Sequence, residues 1–247
     1  MKPFTDLFSK QAATYQKHRP SSPPALFEYL SNLINEHKLA WDCGTGNGQA
    51  AIGLADFFEQ VYATDPSEQQ INHAIPHPKI IYKIERAEAC GLADGSANLV
   101  TVANALHWFD FEKFYAEVKR ILKPGAVIAA WTYGHTTIEP TIDAIIKHYH
   151  DDIVGEFWQD ENRLIDKNYS TIPFPFEEIN VPSFSTHKTL GFDDFIGLLH
   201  SWSATQKYID AHQKDPVQLV MNEIVDAWKT GNKTATWSLI LKVGRHS

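Results

Sequence analysis

Short apolar runs alternate with helical spacing along the first half of the chain. Apolar residues recur at helical intervals between Pro23 and His37, and the compact run Leu39–Trp41 follows. A 3.6-residue period is typical of amphipathic helices, whereas a short apolar run closed by turn residues is typical of a buried strand. The alternation predicts five strands, at residues 39–41, 61–64, 80–84, 98–103 and 126–131. Strands separated by helices predict a parallel sheet covered on both faces.

Beyond residue 133 the alternation gives way to longer helical stretches. Helical spacing extends over 138–169 and 192–225, with strand-like segments at 176–181 and 234–243. We expect these helices to form a cap over the edge of the sheet where ligands bind. The chain is therefore expected to be one α/β domain.

The overall composition is that of an ordinary globular protein, with 43% hydrophobic residues among 247 and a formal net charge of −8. An acidic chain without a Lys/Arg cluster is a poor ligand for nucleic acid or an anionic membrane. The two cysteines, Cys43 and Cys90, are too few for a disulfide framework. The first residues carry no apolar signal region, and no apolar run approaches the ~20 residues of a membrane-spanning helix. We therefore expect a cytoplasmic protein.

A glycine-rich loop, Asp42–Gly48, joins the first predicted strand to its helix. Closely spaced glycines allow a tight turn and a close approach of the backbone to a ligand. In open α/β sheets, ligands bind outside the carboxyl ends of the strands, which is where this loop lies. A nucleotide-like cofactor is therefore expected at the loop.

The details of the loop favour S-adenosylmethionine over a dinucleotide. A dinucleotide site has the spacing G-x-G-x-x-G, whereas here the third glycine, Gly48, comes one residue early. Asp42 would repel a pyrophosphate, but an acidic loop tolerates the ammonium and sulfonium groups of S-adenosylmethionine. Asp65 ends the second strand about 20 residues after the loop, where nucleotide-binding sheets place a ribose-hydroxyl acceptor. Three plainer alternatives stay open: the glycines serve only the turn, Asp65 only opens a helix, and Asp42 is an acceptor internal to the loop.

Several segments resemble motifs of the class I S-adenosylmethionine-dependent methyltransferases. The glycine loop and Asp65 are similar to motif I and to the acidic residue of motif II in that superfamily. Residues 87–100 resemble its adenine-side motif, and Asn104–Asp110 resembles its x-A-x-H-W-F-D motif. Ile121–Gly125 resembles its L-K-P-G-G turn. Phe8–Pro20 resembles a lid of the small-molecule branch. Leu199–Ser203 resembles the S-W-S element of the trans-aconitate-type methyltransferases in the methyltransferase type 11 group.

The resemblance implies a Rossmann-like α/β fold with a seven-stranded, mostly parallel sheet, an antiparallel last strand, helices on both faces and a helical cap. It divides the single domain 1–247 into four parts. These are a lid and helix at 1–37, a cofactor-binding core at 38–133, cap insertions around the sixth strand at 134–233, and the last strand at 234–247. S-adenosylmethionine is the implied cofactor and S-adenosylhomocysteine its product. The implied cofactor-binding residues are Tyr15, Arg19, Asp42, Gly44, Thr45, Gly46, Asp65, Pro66, Gln69, Ala87, Glu88, Asn104, Ala105 and Trp108.

Methyl transfer is an in-line displacement at a cation, so the enzyme chiefly aligns the two reactants and excludes water. His107, at the end of the fourth strand, is the candidate catalytic residue, as a base for a hydroxyl acceptor. The alternative role of His107 is a hydrogen-bonded wall of the pocket. No metal is expected, because the two histidines of His148–Asp152 are two residues apart and do not share a helix face. That segment is predicted to be a solvated helix surface.

A small molecule is the expected acceptor, methylated on oxygen, with a carboxylate as the leading group. The Asn/Asp-Pro-Pro-aromatic tetrapeptide typical of amide and nucleobase nitrogen methylation does not follow the fourth strand. The trans-aconitate-type resemblance implies a carboxylate, for which Arg19, Arg163 and His107 are candidate clamps. Alternatives are a hydroxyl or amine acceptor, a nicotinamide-dependent oxidoreductase, and a binding module without activity. No nucleic-acid or membrane partner is expected, and the protein is expected to be a monomer or a homodimer.

Overall fold

Five parallel strands form the first half of the sheet in the computed structural model, which describes residues 20–247. They are β1 (Leu39–Cys43), β2 (Gln60–Asp65), β3 (Ile80–Ile84), β4 (Ala97–Ala103) and β5 (Leu122–Thr137). Their order across the sheet is β3–β2–β1–β4–β5, and each neighbouring pair is parallel. The strand order changes direction between β1 and β4, which is the switch point where open α/β sheets bind ligands. All five predicted strands are confirmed.

Four helices accompany these strands: α1 (Pro24–Asn32), α2 (Gln49–Ala55), α3 (Glu68–Asn72) and α4 (Phe111–Ile121). The hydroxyl of Ser67 accepts the N–H of Gln70 in the first turn of α3, and the carboxylate of Asp110 accepts the N–H of Lys113 in the first turn of α4. These caps satisfy amide groups that a helix leaves without partners at its start. α4 ends before Pro124, as predicted, because a proline ring cannot continue a helix.

Two apolar cores lie against the two faces of this sheet. Consecutive residues of a strand point to opposite faces, so Leu99 of β4 joins one core and Val100 joins the other. Helices α1 and α2 pack on the Leu99 face, and α4 packs on the Val100 face. Since both faces are covered, β1 and β4 are buried along almost their whole length, which explains their unbroken apolar runs.

The last strand, β8 (Lys233–Arg245), runs antiparallel to β5, as predicted. Its other edge pairs with two short strands, β6 (Glu177–Glu178) and β7 (Ser185–Leu190). The single strand predicted at 176–181 is therefore wrong in extent, and β7 was not predicted. Pro182 lies between the two pieces and has no N–H for the ladder, which separates them. Within residues 20–247 the sheet accordingly has eight strands, one more than expected.

The insertions between β5 and β8 build a helical cap with an apolar core of its own. Its helices are α5 (Pro140–His148), α6 (Arg163–Asp166), α7 (Phe192–His200), α8 (Ser203–His212) and α9 (Met221–Trp228), with a π-helical turn at Tyr149–Ile153. Trp202, from the S-W-S element, is buried in this core.

The stretches predicted as mostly helical at 138–169 and as helical at 192–225 are each divided into several shorter helices. The first breaks into short turns after the π-helical segment. The second is interrupted at Ser201–Trp202, between α7 and α8, and again at Gln213, whose φ is 54°, ahead of Pro216. A left-handed residue and a proline both end a helix even where the apolar spacing continues. Within residues 20–247, no helix has the length and apolar character needed to cross a membrane.

Candidate functional site

The glycine loop is anchored to the end of β2 by its backbone. The N–H groups of Gly44 and Thr45 both donate to the carbonyl oxygen of Thr64, at 2.9 Å. Gly44, with φ +69°, has no room for a side chain, because a Cβ there would lie 2.6 Å from the Cβ of Ala105. Gly46, with φ +56°, instead faces open space: a Cβ there would meet a single side-chain atom, at 3.8 Å. The loop therefore packs tightly at one end and presents bare backbone at Gly46.

Asp42 lies beneath the loop and is fully buried. Its carboxylate accepts hydrogen bonds from the hydroxyl of Thr45 at 2.5 Å and from the hydroxyl of Thr101 at 2.8 Å. Burial raises the pKa of Asp42 to about 6, against the lowering effect of these two hydroxyls. Of the two roles considered for Asp42, this geometry favours the acceptor internal to the loop. Direct contact of Asp42 with the cofactor stays a prediction.

Asp65 connects the end of β2 to the glycine loop. One of its oxygens accepts the N–H of Gly46 at 2.9 Å, and the other accepts the N–H of Ser67 at 2.9 Å. The side chain is half-buried at the carboxyl end of the sheet, where an ionised carboxylate suits the hydroxyl groups of a ribose. Pro66 is half-buried beside it, and Gln69 is exposed on α3.

The segment after β3 meets the segment after β4. A carboxylate oxygen of Glu88 accepts the N–H of Asp110 at 3.4 Å. Ala87 and Ala105 are both buried in the core on the α4 face. The structure thus brings the predicted adenine-side residues next to the predicted fourth-strand residues, beside the glycine loop.

The end of β4 turns sharply at Asn104, whose φ is +57°. The N–H of Asn104 donates to the carbonyl of Trp131, and its side-chain oxygen accepts the hydroxyl of Thr132 at 3.1 Å. A positive φ is uncommon outside glycine and is best tolerated by residues such as asparagine. The turn directs the following residues into a short 3₁₀ helix, Leu106–Trp108.

His107 is buried in that 3₁₀ helix and pairs with a residue of the cap. Its Nδ1 lies 2.8 Å from the hydroxyl of Tyr169, which is itself fully buried. The ring of the half-buried Trp108 lies 4.9 Å from that of His107. The hydrogen bond matches the role of a hydrogen-bonded wall residue and leaves the role of a base open. Tyr169 was not predicted, because 62 residues separate it from His107 and no local motif marks it.

Two half-buried amide residues of the cap, Gln159 and Asn162, lie in the same region. The side-chain oxygens of Gln159 and Asn162 are buried without a hydrogen-bond partner among the described residues. Their turn, Asp160–Asn162, contacts the 3₁₀ helix that carries His107. A buried amide oxygen left unpaired costs about 1–3 kcal/mol, so a ligand or a water molecule that bonds to it is stabilised there. Sequence spacing offered no signal for these two residues.

Of the other predicted residues, two lie outside the part of the chain that the structure describes, and Arg163 is placed in the cap. Tyr15 and Arg19, with the predicted lid up to residue 19, fall outside the described residues. The Arg163 guanidinium donates to the carbonyl of Gly155 at 2.8 Å and lies 3.5 Å from Asp166. Arg163 therefore forms contacts within the cap, and the structure does not place it beside His107.

The solvated surface predicted at His148–Asp152 is partly wrong. His148, Asp151 and Asp152 are exposed, but Tyr149 and His150 are buried. The π-helical turn differs from the assumed α-helix, and its buried side chains pack toward Trp202 in the cap core. His150 is thereby brought to residues that lie far from it in the sequence.

Known proteins share both the loop and the wider fold. Residues 41–130 match the family model described as a methyltransferase domain. A protein of Dictyostelium discoideum that is named as a methyltransferase is 34% identical over 231 residues, which cover 92% of this chain and 88% of that protein. The chain is a class I S-adenosylmethionine-dependent methyltransferase.

Two further proteins are similar to this methyltransferase. The structure of a type II methyltransferase from Anaeromyxobacter dehalogenans has a TM-score of 0.86 and 38% identity, and the match covers 92% of this chain and 97% of that chain. A Saccharomyces cerevisiae protein named as an S-adenosylmethionine-dependent methyltransferase is 27% identical over 172 residues, or 64% of this chain and 59% of that protein. The predicted fold, family, enzyme class and cofactor are confirmed, and the nicotinamide-dependent alternative is set aside.

The site of this methyltransferase fits S-adenosylmethionine on its own geometry. The open face at Gly46 is a cradle that a Cβ would partly fill. Asp65, fixed by two backbone N–H groups, provides a charged acceptor beside that cradle. Acidic groups in the loop suit a cofactor that carries positive charge and no phosphate.

Proposed function

We propose that this methyltransferase methylates an oxygen of a small molecule, and that the acceptor group is a carboxylate. The observation that carries the proposal is a group of buried and half-buried polar side chains where the end of β4 meets the cap. His107 and Tyr169 form a hydrogen-bonded pair there, and the cap adds the unpaired amides of Gln159 and Asn162. Such a set of polar groups suits a compact polar ligand held between the sheet and the cap.

The cofactor half of the site follows the strand ends. We expect Asp65 to accept both ribose hydroxyls, Gly46 to lie against the cofactor, and Ala87–Glu88 to flank the adenine. Bound S-adenosylmethionine supplies a methyl group on a positively charged sulfur. Asn104 forms the turn that precedes the 3₁₀ helix carrying Trp108. We assign Trp108 to the wall between the cofactor and the acceptor.

The acceptor half of the site chiefly has to align the reacting oxygen. A carboxylate is ionised at neutral pH and needs no general base, so hydrogen-bond donors and the exclusion of water suffice. Good alignment alone contributes about 7–11 kcal/mol to lowering a barrier of this kind. The side-chain NH2 groups of Gln159 and Asn162, not their oxygens, are the donors that we assign to the acceptor carboxylate. The Tyr169 hydroxyl can join them when Nδ1–H of His107 donates to it. For a hydroxyl acceptor, His107 would instead have to remove a proton.

Three sequence features support a small carboxylate over other acceptors. The net charge of −8 disfavours nucleic acid. The chain after β4 reads Asn104-Ala105-Leu106-His107 and lacks the paired prolines typical of amide and nucleobase nitrogen methylation. The cap carries the S-W-S element that resembles the trans-aconitate-type branch. The monomeric or homodimeric state remains a separate prediction.

The test is a transfer assay with methyl-labelled S-adenosylmethionine against a panel of small carboxylic acids, alcohols and amines. We expect label in a methyl ester that releases methanol in base, with the Asp65→Ala variant as the matched control. Transfer of label to a base-stable product would refute the carboxylate. Label found only in macromolecules would refute the small-molecule acceptor, while leaving the methyltransferase assignment intact.

A further inference from the structure

Three potential metal ligands from separate parts of the chain meet in the cap. They are His135 in the outer part of β5, His150 in the π-helical turn and Asp166 at the end of α6. Their ligand atoms all lie within 4.8 Å of one another. Nε2 of His135 is 3.7 Å from Oδ1 of Asp166, and Nε2 of His150 is 3.9 Å from the same oxygen.

These distances do not describe direct hydrogen bonds. Both nitrogen–oxygen separations exceed the 2.7–3.2 Å usual for such a bond. Two donor atoms that each lie ~2.0–2.1 Å from a tetrahedral zinc ion are roughly 3.3–3.4 Å apart. To bind one ion, the two nitrogen–oxygen gaps would have to close by roughly 0.3–0.6 Å. The two histidine ligand atoms, which lie within 4.8 Å of each other, would have to approach as well.

A second carboxylate orients His150 toward this point. Nδ1 of His150 lies 2.7 Å from a carboxylate oxygen of Asp151, which also pairs with Lys147. A proton on Nδ1 directed at Asp151 leaves the lone pair of the neutral ring on Nε2, the atom that faces Asp166. A carboxylate that holds the far nitrogen of a metal-binding histidine is the usual arrangement around protein metal sites.

Aromatic packing fixes the plane of the same ring. Trp158 lies against His150 with ring centroids 4.9 Å apart, and Trp202 approaches it edge-on at 5.7 Å. His150 is buried, whereas His135 is exposed, so one side of the cluster is in the protein and the other is open to solvent. This combination suits an ion with protein ligands on one side and water on the other.

We propose that His135, His150 and Asp166 bind a divalent transition-metal ion, of which zinc suits the ligands best, with water in the fourth position. Two imidazoles and one carboxylate match the nitrogen and oxygen ligands that zinc takes at ~2.0–2.2 Å. Calcium and magnesium prefer oxygen ligands throughout. The proposal departs from the expectation of no metal, which considered only ligands near one another in the sequence.

Such an ion joins three segments of the cap that only tertiary structure brings together. Asp166 lies three residues before Tyr169, the partner of His107. Binding the ion therefore stabilises the segment that also carries Asn162 and Gln159. Because only the folded chain assembles these ligands, binding adds to the stability of the folded state.

The test is titration of metal-stripped full-length protein with Zn²⁺ by calorimetry, and with Co²⁺ by visible absorption. We expect one ion per chain and the absorption bands of tetrahedral cobalt. The His135→Ala variant removes an exposed ligand and should fold, and Asp166→Asn removes the carboxylate. The matched control is His148→Ala, which removes an exposed histidine of the same segment that pairs with Asp152 instead.

The ligand variants should bind Zn²⁺ at least 100-fold more weakly than the wild type, and His148→Ala should bind normally. Removing the supporting carboxylate, by Asp151→Asn, should weaken binding by about 10–100-fold. Circular dichroism confirms that each variant is folded before titration. Absence of stoichiometric binding in the wild type, or equal affinity in His135→Ala and His148→Ala, would overturn the proposal.

Discussion

The buried carboxylate beneath the glycine loop predicts an unusual dependence of stability on pH. Burial raises the pKa of Asp42 from its ordinary value of 3.8 to about 6. The folded protein therefore binds more protons at this group than the unfolded chain does between these two values. Since stability falls with rising pH wherever the folded state binds more protons, Asp42 makes the free energy of unfolding decrease through that window.

The size of the effect follows from the pKa. Between pH 5 and pH 8, the difference between 3.8 and about 6 corresponds to a loss of about 1.4 kcal/mol of unfolding free energy. The Asp42→Asn variant resembles the protonated acid at every pH and should not show this loss. The free energy of unfolding of Asp42→Asn minus that of the wild type should thus increase by about 1.4 kcal/mol from pH 5 to pH 8, which means that the variant becomes relatively more stable.

Urea denaturation of both proteins at several pH values measures this difference directly. Titrations common to the two proteins cancel in the comparison, so only Asp42 contributes to the change. The Asp56→Asn variant is the control, because Asp56 is an exposed carboxyl just after α2. A stability difference between the wild type and the Asp42→Asn variant that stays flat from pH 5 to pH 8 would show that Asp42 is not held in the buried environment described above.

Three further predictions concern the same region. Asp65→Ala should weaken S-adenosylmethionine binding by about 1.5–3 kcal/mol, which is the contribution of hydrogen bonds to a charged acceptor. An unchanged affinity in calorimetry would refute the ribose contact. In urea denaturation, Gly44→Ala should destabilise the protein by about 1–3 kcal/mol more than Gly46→Ala, because both glycines have positive φ but only Gly44 lacks space for a Cβ. Equal losses of unfolding free energy in the two variants would contradict the packing described at Gly44. Tyr169→Phe should lower the free energy of unfolding by about 1–3 kcal/mol, since buried His107 loses a partner, and full stability would show that their hydrogen bond contributes nothing.

The cofactor half of the molecule was predictable because its signals are local. β1, β2, β4 and β5 are buried over most of their predicted apolar runs, whereas β3 at the sheet edge is largely exposed. The loop and Asp65 lie directly at strand ends. A reader of the sequence needs only the rule that parallel strands end at one edge to place these residues together. The antiparallel β8 was also predictable in extent, but its reversed direction came from the family resemblance rather than from the strand pattern.

The cap could not be predicted to the same depth because its structure depends on tertiary packing. Apolar spacing continues through Gln213 and Pro216, yet the backbone at these residues ends the helix. His150 appeared solvated when only its neighbours in the sequence were considered, but the π-helical turn buries it. Its meeting with His135, and that of His107 with Tyr169, bring together residues that no sequence motif connects.

A crystal structure of the protein with S-adenosylhomocysteine would show directly whether the cofactor binds at the glycine loop. We expect both ribose hydroxyls to donate to Asp65 at hydrogen-bond distance and the adenine to lie beside Ala87–Glu88. We also expect the sulfur to face the pocket bounded by His107 and Trp108. A ligand bound away from the glycine loop, or a ribose that makes no contact with Asp65, would contradict the assignment of the site.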